Sequence, residues 1–318
     1  MSAATSERMA PPPAAIARLL GAQVAIGAAA IFARYALAGA GPFAVAALRL
    51  GIATLAIAFI VRGFGRLSPR RELAFALAGI ALAIHFATWI ASLRYTTVAI
   101  STLLVTTTPL WTELYDVLAH RRTPSRAFAL ALACAGAGVA LIALPGAATP
   151  APIPGHAALG AVLALVGSLA IGAYLLVVRD AGNTPEGARL ATRAIVVRTY
   201  GWATLALALA ASIAREGPPR LDDRAAWAGI LAMALVSQLL GHTLLNAALG
   251  SFAPSIVALA TLLEPVIAAL LAAALFCEAL TPTTIVGGLL VLAAVAVTLA
   301  GEQAPSRPRP QPPVENPG

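Results

Sequence analysis

Two stretches of this chain 156 residues apart repeat one another, Leu93 to Pro124 and Leu249 to Pro282. That offset superposes Leu93 on Leu249, Ile100 on Ile256, Leu103 on Leu259, Pro109 on Pro265 and Leu114 on Leu270. Each stretch closes on a Thr-Pro pair, Thr123-Pro124 and Thr281-Pro282, with a two-residue slip. The flanking segments are almost wholly apolar, so the duplication describes a unit of five spans occurring twice. An odd number of spans inverts the second copy in the bilayer relative to the first. Inverted repeats with prolines inside their helices typify secondary transporters, which bind solute near the midplane where the repeats meet.

Composition agrees with a membrane setting. Of 318 residues, 60% are hydrophobic and 11% are charged, where soluble chains carry about 25% charged residues. A spanning helix needs about 20 predominantly apolar residues. Ten segments qualify, at 15–37, 42–61, 72–93, 97–118, 125–144, 157–179, 192–214, 226–246, 253–276 and 282–300. The expected fold is an all-α integral membrane protein, ten transmembrane helices arranged as two inverted five-helix repeats. The expected organisation is a disordered leader (1–14), a first repeat (15–144), a loop (145–156), a second repeat (157–300) and a disordered Pro-rich tail (301–318).

The formal charge of +8 could suit nucleic acid, but its placement says otherwise. All 21 basic residues are Arg. Fourteen, including Arg62, Arg66, Arg70, Arg71, Arg121, Arg122 and Arg126, fall on one side of the proposed topology. Four fall on the other, namely Arg94, Arg215, Arg220 and Arg224. Basic loops stay cytoplasmic, so both termini are expected inside, and no nucleic-acid partner is expected. Cys134 and Cys277 lack CxxC spacing and read as apolar fillers, so neither a metal nor a cofactor is expected. The small residues Gly136, Gly138, Gly287 and Gly288 permit close helix approach, either within the bundle or across a homodimer.

Polar residues inside apolar spans nominate a cavity. Thr102, Thr106, Pro109, Glu113 and Asp116 recur every three or four residues along the fourth span, on one helical face. Pro109 cannot donate to the helix ladder, which opens a carbonyl one turn earlier. Glu113 and Asp116 read as solvated carboxylates balancing the nearby Arg121 and Arg122. Gln238, His242 and Asn246 form a stripe along the eighth span, and His85 and Trp89 a shorter one along the third. Glu264 sits mid-span in the ninth, just before Pro265. A central acidic residue costs about 2.5–3.5 kcal/mol on insertion scales, so it must face protein or water. Arg49, well inside the second span, and Arg198, at the corresponding place in the seventh, are its candidate charge partners, with Arg198 suited also to snorkelling to the cytoplasmic interface.

Together these residues resemble the EamA-type transporters of the drug/metabolite transporter superfamily. The likeness rests on Leu263-Glu264-Pro265-Val266, Glu278-Ala279-Leu280-Thr281-Pro282 and Gly288, and in the first repeat on Pro42, Arg49, Pro109 and Thr123-Pro124. It covers residues 15–300, with one departure: Arg122 stands where the second repeat has Glu278. The resemblance implies a bacterial inner-membrane protein that moves small metabolites such as amino acids by alternating access, and the expectation drawn from it is export of a small polar or amphipathic, amino-acid-like solute. It also implies a cavity formed by spans 1, 3, 4, 6, 8 and 9. A membrane-embedded enzyme would need catalytic motifs such as HExxH or GxSxG, which the chain does not contain. A non-transporting scaffold or sensor would leave the polar seams dispensable.

Overall fold

A computed structural model describes residues 12–60, 67–143, 156–182, 192–248, 251–252 and 254–302. The expected leader, inter-repeat loop and tail lie almost wholly outside these residues. Among the described residues every regular element is helical. The first repeat contributes α1 (Pro13–Gly27), α2 (Ala29–Leu37), α3 (Pro42–Ala58), α4 (Pro69–Tyr95), α5 (Val98–Val105), α6 (Thr108–Ala119) and α7 (Arg126–Ala143). The second contributes α8 (Ala157–Gly182), α9 (Thr192–Ile213), α10 (Arg224–Ala232), a π-helical segment (Met233–Gly241), α11 (His242–Ala248), α12 (Pro254–Ala260), α13 (Leu263–Phe276) and α14 (Pro282–Glu302).

Local chemistry sets several of these starts. Pro13, Pro42 and Pro69 stand in the first turn of α1, α3 and α4, where the missing N–H would be unpaired anyway and φ is already helical. Thr97 caps α5 by accepting from the Ile100 N–H at 3.2 Å, and Asp223 caps α10 by accepting from Ala226 at 3.0 Å.

Six described helical stretches are long and apolar enough to cross a bilayer: Pro13–Leu37, Pro69–Tyr95, Ala157–Asp180, Ala194–Ile213, Arg224–Leu245 and Pro282–Ala300. The protein is a multi-pass membrane protein. Three shorter apolar helices, Pro42–Ala58, Arg126–Ile142 and Leu263–Phe276, accompany them. The fourth expected span is not one continuous helix, and neither is the ninth. Thr106 and Thr107 separate α5 from α6, and Thr261 and Leu262 separate α12 from α13. Both breaks contain three-residue turns, with Thr107 N–H on Leu104 O at 3.3 Å and Leu262 N–H on Leu259 O at 3.1 Å. Pro109 and Pro265, which cannot extend a hydrogen-bond ladder backwards, follow the breaks directly.

Helix packing has an approximate two-fold pattern. The α3–α9 and α7–α14 contacts each pair the same element of the two repeats. The extensive α4–α8 contact has its counterpart where α10, the π-helical segment and α11 pack on α1 and α2. Small residues set the closest approaches. A Cβ on Gly138 would lie 2.6 Å from Gly287 O, and one on Gly287 would lie 2.7 Å from Gly138 O. A Cβ on Gly79 would lie 2.5 Å from the Trp202 Cβ. Gly138 and Gly287 thus serve contact within the chain, whereas Gly136 has open space around it. Large apolar side chains cover the outside, among them Leu55, Leu73, Leu77, Leu205, Leu209 and Leu289, all exposed as lipid-facing positions should be.

Candidate functional site

The buried polar centre forms around Arg49 of α3, which is only 3% exposed. Its guanidinium lies 4.3 Å from the Phe86 ring centre and 5.8 Å from that of Trp89, both on α4. Such contacts exploit the negative face of an aromatic ring. Arg49 Nη2 donates to Gln238 Oε1, and Gln238 Nε2 donates onward to the Tyr200 hydroxyl. A polar chain therefore links α3, the π-helical segment and α9. Hydrogen bonds in a π-helical turn close five residues apart, and such turns recur at functional sites. Its neighbour Ser237 donates to Ala25 O at 2.7 Å, tying the same segment to α1.

His85 stands beside this chain. Its ring is stacked parallel to Trp89 with centroids 6.3 Å apart. Its Nδ1 is 2.9 Å from Gly167 O on α8. A carbonyl only accepts, so Nδ1 carries the proton of this bond. His242 opens α11 directly after the π-helical segment that carries Gln238. Expected residues from the third and eighth spans therefore do gather, and they gather around the arginine.

Other expected site residues behave differently. Thr102 Oγ1 donates to Val98 O at 2.7 Å and Thr106 Oγ1 to Thr102 O at 2.5 Å, so both hydroxyls satisfy their own helix. The neighbouring Thr107 reaches Ser168 of α8 at 2.9 Å and Thr108 reaches it at 3.2 Å, a link across elements that the seam pattern passed over. Pro109 opens α6. Asn246 lies in α11, but its side chain is outside the described residues.

Glu264 is not the partner of Arg49. Among the described residues Arg49 makes its hydrogen bond to Gln238 instead. Glu264 is approached by Gln23 of α1, fully buried, whose amide nitrogen donates to Glu264 Oε1 and Ala260 O, each at 3.2 Å. This amide orientation is assigned from the two acceptors that surround the nitrogen. Pro265 is buried at the same turn, and a Cβ on Gly27 would lie 3.1 Å from Glu264 O. The first and ninth spans thus meet at their interruptions. Arg198 of α9 pairs with Glu72 of α4 at 3.2 Å, and Trp202 Nε1 donates to the same carboxylate at 3.0 Å. Asp116 pairs with Arg179 of α8 at 3.3 Å rather than with Arg121 or Arg122.

A separate small pocket of about 200 Å³ is lined by Glu113, Val117, Arg122, Thr123, Phe128 and Thr298, among others. It includes none of the expected cavity residues. Among the described residues no group of three or more His, Cys, Asp or Glu is placed to hold a metal ion.

The EamA-like transporter family model matches residues 14–144 and again 158–300, once over each repeat. The chain belongs to the EamA-like transporter family. Among solved structures, one described only as "Crystal structure of protein" aligns with 92% of this chain and 99% of its own at a TM-score of 0.57 and 18% identity. At that identity the likeness is one of fold alone. No curated protein matches. In this EamA-like protein the twofold match coincides with the paired breaks and exchanged packing partners, so duplication is visible in sequence, family profile and structure alike.

Proposed function

We propose that this EamA-like protein is a secondary transporter that moves a small polar or amphipathic, amino-acid-like solute across the bacterial inner membrane by alternating access, in the export direction. The observation that carries the reading is the pair of interrupted helices, α5–α6 and α12–α13, at matching places in two packed repeats. Such interruptions let one repeat rock against the other around a central site. In this reading ten spans form two inverted five-helix repeats, 15–144 and 157–300, with both termini cytoplasmic. His85, Trp89, Gln238, His242 and Glu264 line the solute path, and Arg49 stands at its centre.

That topology puts several ties on one, outer, side. Arg34 of α2 pairs with Glu278 at 2.6 Å, and Glu278 also accepts from the Val98 N–H at 2.9 Å. Glu216 accepts from the Phe43 and Ala44 N–H groups at the start of α3, at 2.8 and 3.0 Å. Arg94 donates to Ala40 O at 3.1 Å. These bonds join α2, α3, α5 and the turns after α9 and α13, as a closed outer gate would.

The test is a thermal-shift screen of purified protein against small metabolites, since a ligand of the folded state raises apparent stability by mass action. Responding solutes are then followed into proteoliposomes. Uptake or counterflow of a responding solute supports transport. Tight binding without flux in any liposome format overturns it in favour of a sensor, and turnover of a responding solute overturns it in favour of an enzyme.

A further inference from the structure

Arg49 has more hydrogen-bonding capacity than its surroundings use. Among the described residues its Nε and Nη1 have no hydrogen-bond partner, and neither has the indole Nε1 of the adjacent Trp89, which is itself only 7% exposed. Gln238 supplies one neutral acceptor, and no acidic side chain pairs with this guanidinium among the described residues. A buried cation without a counter-ion is among the costlier features a membrane interior can hold. The three unmet positions are all N–H donors. The apolar ring faces of Phe86 and Trp89 exclude water and strengthen any charge interaction made there.

We infer that Arg49, with Trp89 Nε1, forms a subsite for the carboxylate of a small organic anion, the solute itself supplying the missing counter-charge. The subsite rests on the transport reading for its role, and it narrows the substrate class to carboxylates. Gln238 orients the guanidinium through Nη2 while the Tyr200 hydroxyl holds the Gln238 amide in place. His85, fixed by Gly167, completes the polar wall.

Gln238→Glu tests this without removing the arginine. It sets a fixed carboxylate against Arg49, so thermal stability should rise or hold while the subsite becomes internally neutralised. Purified wild-type, Gln238→Glu and Arg49→Gln proteins are titrated with sodium formate, acetate and benzoate against sodium chloride at equal ionic strength. Benzamide serves as the uncharged match to benzoate. Saturable stabilisation of the wild-type by a carboxylate, absent with benzamide and weakened tenfold or more in Gln238→Glu, is the expected result. Arg49→Gln should behave likewise where it folds, and Gln238→Glu carries the test where it does not.

No carboxylate response in the wild-type, or an equal response in wild-type and Gln238→Glu, overturns the subsite. Counterflow in the same preparations separates the two proposals. Flux of an uncharged solute without carboxylate binding removes the subsite and leaves transport standing. Arginine-dependent carboxylate binding with no flux of any bound solute leaves the subsite and removes transport.

Discussion

Arg121 and Cys277, 156 residues apart, both adopt left-handed backbone conformations, at φ 48° and 54°. Each ends a corresponding helix, α6 or α13, just ahead of its Thr-Pro pair. A left-handed residue commonly terminates a helix by turning the chain back on its last carbonyls. After Arg121, the Arg122 N–H reaches Val117 O at 2.9 Å, and after Cys277 the Glu278 N–H reaches Ala272 O at 3.4 Å. The two repeats therefore preserve a backbone device through different side chains. The next residue breaks the symmetry: Glu278 ties α2 to α5, whereas Arg122 lines the small pocket beside Glu113. Glu278 itself carries an ion pair to Arg34, whereas at the α6 end the acidic partner is Asp116, in the last turn of that helix, paired with Arg179.

The exposed thiol of Cys277 reports orientation directly. A membrane-impermeant maleimide added to intact cells should label the wild-type protein and its Cys134→Ala variant equally, and should leave Cys277→Ala unlabelled. Labelling of Cys277 only after permeabilisation would place the α13 end inside and reverse the proposed topology.

Glu278 should give the protein a measurable pH dependence. Burial holds its carboxyl above the usual carboxylate value, and the Arg34 charge and the Val98 N–H pull it back only in part. The folded state thus binds this proton more tightly than the unfolded chain does. Its contribution to stability is full at pH below the unfolded value and fades as pH rises through the folded one. Melting temperatures of wild-type and Glu278→Gln, compared across the carboxylate range and above, should show the wild-type losing ground as pH rises. A difference that grows with pH instead would mean that the Arg34 ion pair outweighs burial.

The α7–α14 crossing should be intolerant of bulk. Gly138→Val or Gly287→Val drives a side chain into the facing backbone carbonyl, which cannot swing aside as a flexible side chain could. Overpacking of this kind costs about 1–3 kcal/mol. Gly136→Val, with nothing nearby to meet, is the control and should melt within a degree or two of wild-type. Equal melting of all three variants would show that the crossing opens freely.

Architecture was readable in the sequence because duplication and hydropathy are properties of long segments. The paired prolines also located both helix breaks within a few residues. The centre was less readable, since depth in a span does not say which neighbour a side chain meets. Glu264 and Arg49 looked like partners on charge alone, yet Gln23 and Gln238 intervene. Gln23 is a lone amide in an apolar span, which is the signal that could have found it. Tyr200 and Phe86 gave no such signal, because an aromatic residue is as ordinary in a core as beside a cation. The threonine seam is legible as a pattern but not as a contact, because a hydroxyl in a helix can bond its own preceding turn, as Thr102 and Thr106 do.

Glu264 remains the residue on which proton coupling would turn. Its described partner is a neutral amide, so Glu264→Gln removes a titrating group without leaving a paired arginine behind. The variant protein should therefore insert and accumulate as wild-type does, in contrast to the loss expected on breaking a buried ion pair, which typically costs about 3–5 kcal/mol. If the transport cycle carries a proton on this carboxylate, concentrative transport driven by a pH gradient should fall at least tenfold. Counterflow, which needs no net proton movement, should persist. Flux is measured in both formats on the same proteoliposomes, with Gln23→Glu as a second perturbation that sets a carboxylate against the first. Unchanged gradient-driven transport in Glu264→Gln would rule out a coupling role and leave this residue as a hydrogen-bonded post between the first and ninth spans.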